Sequence, residues 1–321
     1  INALGTTLLD REFASRMLAA EPNEILGMLG ETAWAGSVAE VQSPSRIEEG
    51  LARELKKTHE VLEKICPDKE SIRLFRLRHD FQNLKAMLKS RLTGLPYTNS
   101  ITDLGTYDVD ELGSAVSENN YRFVAEHLRE AALEALAEHE RTGTLSAASY
   151  TCDRSMWNFI MQRALKSRNK IIINLFREYI NLANIKTFFR VREFAADPSV
   201  FERYFIPGGG YSLDFFLRHM EQPLGLFLDH LTKTRYEHQI VSHGLKTWPE
   251  DKSFWRLEIA SDNFLLYHFW QMRNQLFSIA PLIYYLLRKT AEAKLIRTVT
   301  RCKLIGMPRE GIEERLRYIY V

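Results

Sequence analysis

Residues 74–91 read LFRLRHDFQNLKAMLKSR, and residues 175–192 read LFREYINLANIKTFFRVR. Aligned without a gap, they agree at Leu74 and Leu175, Phe75 and Phe176, Arg76 and Arg177, Asn83 and Asn184, Lys85 and Lys186, and Arg91 and Arg192. Residues 286–303, LLRKTAEAKLIRTVTRCK, form a third copy. It keeps Leu286, Arg288 and the basic Arg297 and Arg301, has Gly306 in the place of Gly94, and replaces the asparagine with Leu295. A weaker element recurs upstream: Leu26, Leu29, Thr32 and Trp34 share the spacing of Leu228, Leu231, Thr234 and Tyr236, with Val116, Asn119 and Tyr121 as a reduced middle copy. Two elements recurring in one order predict a threefold internal repeat rather than a coincidence of amphipathic helices.

The repeated stretch is helical by pattern. Leu77, Phe81, Leu84 and Leu88 stand at i, i+4, i+7 and i+11, one continuous apolar stripe. A second line is polar: Arg76, Asp80 and Asn83, then Arg177, Asn181 and Asn184, then Arg288 and Glu292. Arg76 with Asp80 and Arg288 with Glu292 are spaced for i,i+4 pairing, worth about 0.2–0.5 kcal/mol if exposed. Packed between helices, the same line would need complete partners and would specify register more than it adds stability. The spacing favours that structural reading over a ligand contact or a solvated face.

Outward from these helices, helix formers at spacings of three and four dominate, and alternation of strand length is scarce. Pro67, Pro96, Pro198, Pro207, Pro249 and Pro308 all border helical patterns, and Gly208, Gly209 and Gly210 read as a loop. The expected fold is all-α, in three helical units over residues 1–100, 101–205 and 206–321. At 321 residues, 45% hydrophobic and 26% charged, the chain has the composition of a folded soluble protein. A net charge of +2 gives no reason to expect a nucleic-acid partner. Cys66, Cys152 and Cys302 are far apart, without a CxxC pair, so neither a disulfide framework nor a thiolate zinc site is expected. No basic leader precedes an apolar run at the amino end, and the start at Ile1 leaves room for residues upstream. The longest apolar stretch, residues 263–287, is interrupted by His268, Gln271 and Arg273, so any membrane contact is expected to be peripheral.

Candidate catalytic patterns are few. A GxxxxGK[ST] phosphate loop, an HExxH pair and a GxSxG elbow do not occur. The densest histidines, His219, His230, His238 and His243, contain no i,i+4 pair, and no metal or cofactor is expected. Glu313 with Glu314 and Asp108 with Asp110 read as surface carboxylates. Tyr267, Phe269, Trp270, Phe277, Tyr284 and Tyr285 read as core ahead of a partner surface or cofactor pocket.

The carboxyl end carries a family resemblance. Residues 261–320 have an Asp-Asn pair at Asp262 and Asn263, a proline before an apolar helix at Pro281, and an acid followed five residues on by a base at Glu292 and Arg297. A GxP turn at Gly306 and Pro308 then precedes a helix closing on Leu316, Arg317 and Tyr320. In these features, and in the order of the three repeats, the chain resembles the C subunits of bacterial and archaeal V/A-type ATPases, counterparts of the d subunit in the vacuolar enzyme. It departs at Thr290, where relatives often have glutamate after the lysine, and at Arg301, Cys302 and Lys303, where they have a Gly-Lys pair. The resemblance implies a funnel or V-shaped body of three related parts around a pseudo-threefold axis, without an active site. It also implies a seat on the cytoplasmic face of the membrane, between the proteolipid subunits of the rotor ring and the central stalk, passing torque between them. The reading set against it is a helical scaffold or adaptor of another assembly.

Between Arg288 and Arg317 stand nine lysines and arginines against four carboxylates. With Leu295, Val299, Leu304 and Ile312 on the apolar side, Lys294, Arg301, Arg309 and Arg315 are expected at the surface, as a contact for acidic groups of the stalk or for lipid headgroups.

Overall fold

A computed structural model describes residues 5–96, 101–195, 197–275 and 277–317, and among them helices occur and strands do not. In chain order the α-helices are α1 (Arg11–Ala19), α2 (Ile25–Gly30), α3 (Ala35–Val38), α4 (Ile47–Ile65), α5 (Lys69–Thr93), α6 (Val109–Glu118), α7 (Glu126–Thr142) and α8 (Leu145–Ser167). They continue as α9 (Lys170–Phe194), α10 (Pro198–Tyr204), α11 (Leu213–Met220), α12 (Leu224–Thr232), α13 (Trp248–Asp251), α14 (Phe254–Met272), α15 (Ala280–Leu304) and α16 (Arg309–Glu313). A π-helical stretch, Glu237–Leu245, lies between α12 and α13.

The three repeated segments form α5, α9 and α15, each 25 residues long. Their ends follow from local chemistry. Asp68 accepts from the Ser71 N–H at the start of α5, and Asn169 from the Ile171 N–H at the start of α9. Pro281 lies in the first turn of α15, where its missing donor costs nothing. Gly94, at φ +71°, closes α5 with its N–H on the Ser90 carbonyl.

The helices fall into two compact units, Asp68–Pro223 and a second built from Ile1–Pro67 with Leu224–Val321. In the first, α8 packs against α7, α5 and α9, and α6 packs on α5. Phe81, Leu84 and Leu88 of the apolar stripe are buried and Leu77 is half-buried. Phe188, Phe201 and Phe216 join α9, α10 and α11 with ring centroids 5.1–6.1 Å apart. In the second unit α15 packs between α4 and α14, and α14 also packs on the π-helical stretch.

The upstream element has one local geometry in two copies. The Thr32 hydroxyl donates to the Leu29 carbonyl and accepts from the Trp34 N–H; Thr234 does the same with Leu231 and Tyr236. The middle copy differs from expectation. Val116 sits at the end of α6, where it is the counterpart of Leu18 and Met220 rather than of Leu29, as the hydrogen bonds below define.

Candidate functional site

Each long repeated helix holds a loop and the C-terminus of a short helix by a line of polar side chains. On α5, Asp80 accepts from the N–H groups of Thr106 (2.8 Å) and Tyr107 (3.0 Å) and from the Thr106 hydroxyl (2.6 Å). Asn83 pairs twice with Thr102: its amide donates to the carbonyl at 2.7 Å and its oxygen accepts from the N–H at 3.1 Å. Arg76 donates to the carbonyls of Leu104 and Gly105, at 3.0 and 2.6 Å. At the far end Arg91 donates to the Val116 carbonyl and to Asn119 Oδ1, at 3.1 and 2.7 Å, closing α6.

On α9 the pattern repeats. Asn184 makes the same two bonds with Ile206, at 2.8 and 3.0 Å, and Asn181 accepts from the Gly210 N–H at 2.5 Å. Arg192 donates to the carbonyls of His219 (2.8 Å), Met220 (2.6 Å) and Gln222 (2.7 Å) at the end of α11. The glycines in these loops are required by the close approach. A Cβ on Gly105 would collide with the Asp80 carboxylate, and one on Gly209 would stand 2.5 Å from Asn181 Oδ1.

In the third copy, α15 takes its loop and short helix from the amino end of the chain. Glu292 accepts from the Leu9 N–H at 2.6 Å, Arg288 donates to the Leu9 carbonyl at 3.0 Å, and Lys303 donates to the carbonyls of Leu18 and Ala20 at 2.8 and 2.6 Å. The three short helices share a register. Asp10, Asp108 and Ser212 are the N-caps of α1, α6 and α11, and Leu18, Val116 and Met220, eight residues on in each, present the carbonyl that the cation binds. A cation there satisfies orphan carbonyls and complements the negative end of the helix dipole.

Arg177 departs from its counterparts. It is half-buried and its guanidinium reaches Asn174 on its own helix at 3.3 Å, where Arg76 donates to the carbonyls of its loop.

Behind the third line lies a buried charge cluster. Lys289 Nζ stands 3.1 Å from Glu54 and 3.0 Å from Glu292, and 4.3 Å from the centre of the Trp34 ring. The Trp34 indole N–H donates to Glu292 at 2.9 Å and the Ser37 hydroxyl to Glu54 at 2.7 Å. Burial alone would lower the Lys289 ammonium's pKa; Glu292 and Glu54 outweigh it and hold the group above its usual range. Burial pushes the Glu292 carboxyl up, against the opposing pull of Lys289, Trp34 and Leu9. Sequence reading passed over Lys289 and Glu54. The available signal was position: Lys289 is four residues from both Tyr285 and Ala293, on a face that is otherwise buried.

Much of the basic charge of the carboxyl segment is paired in space, in part with acids from elsewhere in the chain. Lys294, expected at the surface, binds both oxygens of Asp262 at 2.8 and 2.7 Å, and Arg317 adds bonds of 3.0 and 2.7 Å to the same carboxylate. It points there because α14 packs beside α15 and places Asp262 opposite it. Against the upward push of burial, these two cations hold the Asp262 carboxyl down to about 2. Glu48 takes Arg297 and Arg301 at 2.7 and 3.0 Å, and Arg309 pairs with Glu313 at 2.7 Å. Arg315 donates to the Gly311 carbonyl at 2.7 Å and lies over Trp255. Arg301 and Arg309 remain mostly exposed. Tyr320 lies outside the described residues.

The aromatic segment divides. Phe269 and Tyr285 are core, Tyr284 is half-buried, but Tyr267 and Trp270, i and i+3 on another face of α14 from Phe269, and Phe277, in the connection to α15, are exposed. Among the described residues no group of three or more His, Cys, Asp or Glu is placed to hold a metal ion. Burial pushes the Cys152 thiol up to about 12, which suits packing and not nucleophilic attack. An open cleft of about 440 Å³ is lined by His243, Trp255, Arg256, Asn263 and Glu314 among others, with Arg256 and Glu314 paired across 3.2 Å. The arrangement is built to hold backbone segments in place.

A family model described as the ATP synthase (C/AC39) subunit matches residues 1–315. The chain therefore belongs to the C/AC39 family of V/A-type ATP synthase subunits. Among its relatives, the C subunit of an A-type ATP synthase from Thermococcus gammatolerans is 24% identical over 281 residues, covering 85% of this chain and 75% of the relative. The C subunit of a V-type sodium ATPase from Enterococcus hirae is 23% identical over 278 residues, 85% of this chain and 82% of its own. The C subunit of an A-type ATP synthase from Methanothermobacter thermautotrophicus is 22% identical over 293 residues, 84% and 74% respectively.

Proposed function

We propose that the chain is a non-catalytic rotor part of a V/A-type rotary ATPase, joining the central stalk to the proteolipid ring and passing torque between ATP turnover and ion transport. The family match over residues 1–315 carries this reading. The chemistry of the helices supports it: three long helices, each with a loop and a short helix fixed by several hydrogen bonds, suit a part that transmits load without yielding. The subunit sits peripherally on the cytoplasmic face of the membrane. Among the described residues no helix is long and apolar enough to cross a membrane. Arg301 and Arg309, with the most exposed of the segment's paired side chains, meet acidic groups of the stalk. The test is affinity capture of the tagged chain from solubilised membranes. Recovery of ring proteolipid together with stalk subunits is expected; recovery of neither, with a different stable assembly, would replace this reading with a scaffold.

A further inference from the structure

The end of α14 and the connection to α15 carry an exposed aromatic surface of unusual composition. Tyr267 and Trp270 stack at 5.9 Å between ring centres and are 52% and 43% exposed. The Arg273 guanidinium lies 4.3 Å from the centre of the Trp270 ring and donates to the Trp270 carbonyl at 2.7 Å. Phe277 is fully exposed on a left-handed backbone (φ +60°), a conformation an aromatic residue adopts only at a cost in strain. Two exposed rings and a fully displayed phenylalanine within eleven residues of sequence make this turn a candidate contact surface. From Asn263 to Ala291 the sequence contains no aspartate or glutamate, while Arg273 supplies a cation beside the rings.

Indole and phenol rings with an adjacent cation and no acid match the chemistry of the interfacial layer of a bilayer, where Trp and Tyr rest at headgroup depth and Arg binds phosphate. Anionic lipid repels carboxylates, and this stretch has none to repel. We propose that this surface, Tyr267, Trp270, Arg273 and Phe277, inserts into the headgroup region of an anionic membrane. Phe277 and Trp270 enter toward the acyl boundary and Arg273 meets lipid phosphate. The inference rests on the rotor reading only in placing a bilayer beside the chain.

The experiment is flotation of the full chain with vesicles of phosphatidylcholine and phosphatidylglycerol, compared with phosphatidylcholine alone. Brominated acyl chains report ring depth by quenching. The chain is expected to float with the anionic vesicles and to be quenched, and W270F to bind but lose most of the quenching. Phe277→Gly removes the side chain and suits the left-handed backbone, so it should melt no lower than wild type while partitioning falls about tenfold. Arg273→Glu should abolish the preference for phosphatidylglycerol. Wild-type partitioning by F277G, or absence of quenching, overturns the proposal. So does binding confined to membranes that carry the ring proteolipid, which would make the patch a protein-docking surface. Vesicle binding without capture of ring or stalk would count against the rotor reading alone, and capture without vesicle binding against the lipid surface alone.

Discussion

Replacing Asn184 with alanine tests whether the polar line fixes the loops. Asn184 is 1% exposed and Ile206 3% exposed, and the two share bonds of 2.8 and 3.0 Å. The substitution removes both bonds, each worth about 0.5–1.5 kcal/mol net, and leaves a buried N–H and a buried carbonyl unmatched, each costing about 1–3 kcal/mol before relaxation. Some relaxation is certain, so the expected loss is about 2–4 kcal/mol. Asn83→Ala breaks the same two bonds, but Thr102 is half-exposed and water can replace the amide, so about 1 kcal/mol is expected there. Leu295, at the equivalent place in α15, is 1% exposed. Leu295→Asn should destabilise by about 1–3 kcal/mol, the cost of placing an amide in a buried site packed around an apolar side chain. Urea unfolding followed by circular dichroism gives the order through midpoints at unchanged slope. If N184A shifts the midpoint no more than N83A, burial of the pair is not what makes it matter, and the argument fails.

Four further outcomes follow from the same geometry. Lys303→Met should loosen α1 from α15: amides of residues 13–20 should exchange about tenfold faster or more, as charge-assisted bonds to two carbonyls are lost, while amides of α6 keep their rates. Gly209→Ala should destabilise by about 1–3 kcal/mol in urea unfolding, because its Cβ must displace the Asn181 side chain that holds Gly210; equal stability would show that the loop shifts freely. The Asp262 carboxyl, ordinarily near 3.8, lies near 2 when folded, so it contributes about 2 kcal/mol that is fully present above pH 3.8 and is lost as pH falls toward 2. Asp262→Asn should remove that acid-side dependence from the stability profile, and an unchanged profile would assign it elsewhere. Reversing Arg301 and Arg309 to glutamate should slow association with the stalk and flatten its salt dependence, with the melting temperature nearly unchanged.

The helices were legible because the apolar stripe of Phe81, Leu84 and Leu88 has one period and one side. The importance of Arg76, Asp80 and Asn83 was legible because the residues recur; their partners were not, since a loop backbone such as Thr102 or Ile206 offers its N–H and carbonyl whatever its side chain. Arg177 shows the limit of carrying a role along a repeat: the residue is retained while its guanidinium turns to Asn174 on its own helix. Lys294 shows the limit of counting charge along one segment, because Asp262 lies on a different helix and meets it only after packing. Trp270 and Phe277 were assigned to the core on residue type, yet helix face and connection decide exposure: Phe269, next to Trp270, is buried.

The third copy explains its own departures. In the first two copies the loop follows its helix directly, with 19 residues from Asn83 to Thr102 and 22 from Asn184 to Ile206. A short covalent connection lowers the entropy cost of bringing the loop onto its helix, where the neutral amide pair adds to the charged Asp80, Arg76 and Arg91 in the first copy and to Arg192 in the second. Leu9 is 283 residues from Glu292, and no short connection confines it. There Leu295 stands in the place of the asparagine, and Glu292, Arg288 and Lys303, aligned with Asp80, Arg76 and Arg91, bind the amino segment by charged groups, whose hydrogen bonds contribute roughly 1.5–3 kcal/mol each. A carboxylate buried for that purpose needs a counter-charge, which Lys289 supplies from the next residue but two. The third loop thus reaches its helix from the opposite end of the chain and is met there by Glu292, whose charge the buried Lys289 faces at 3.0 Å.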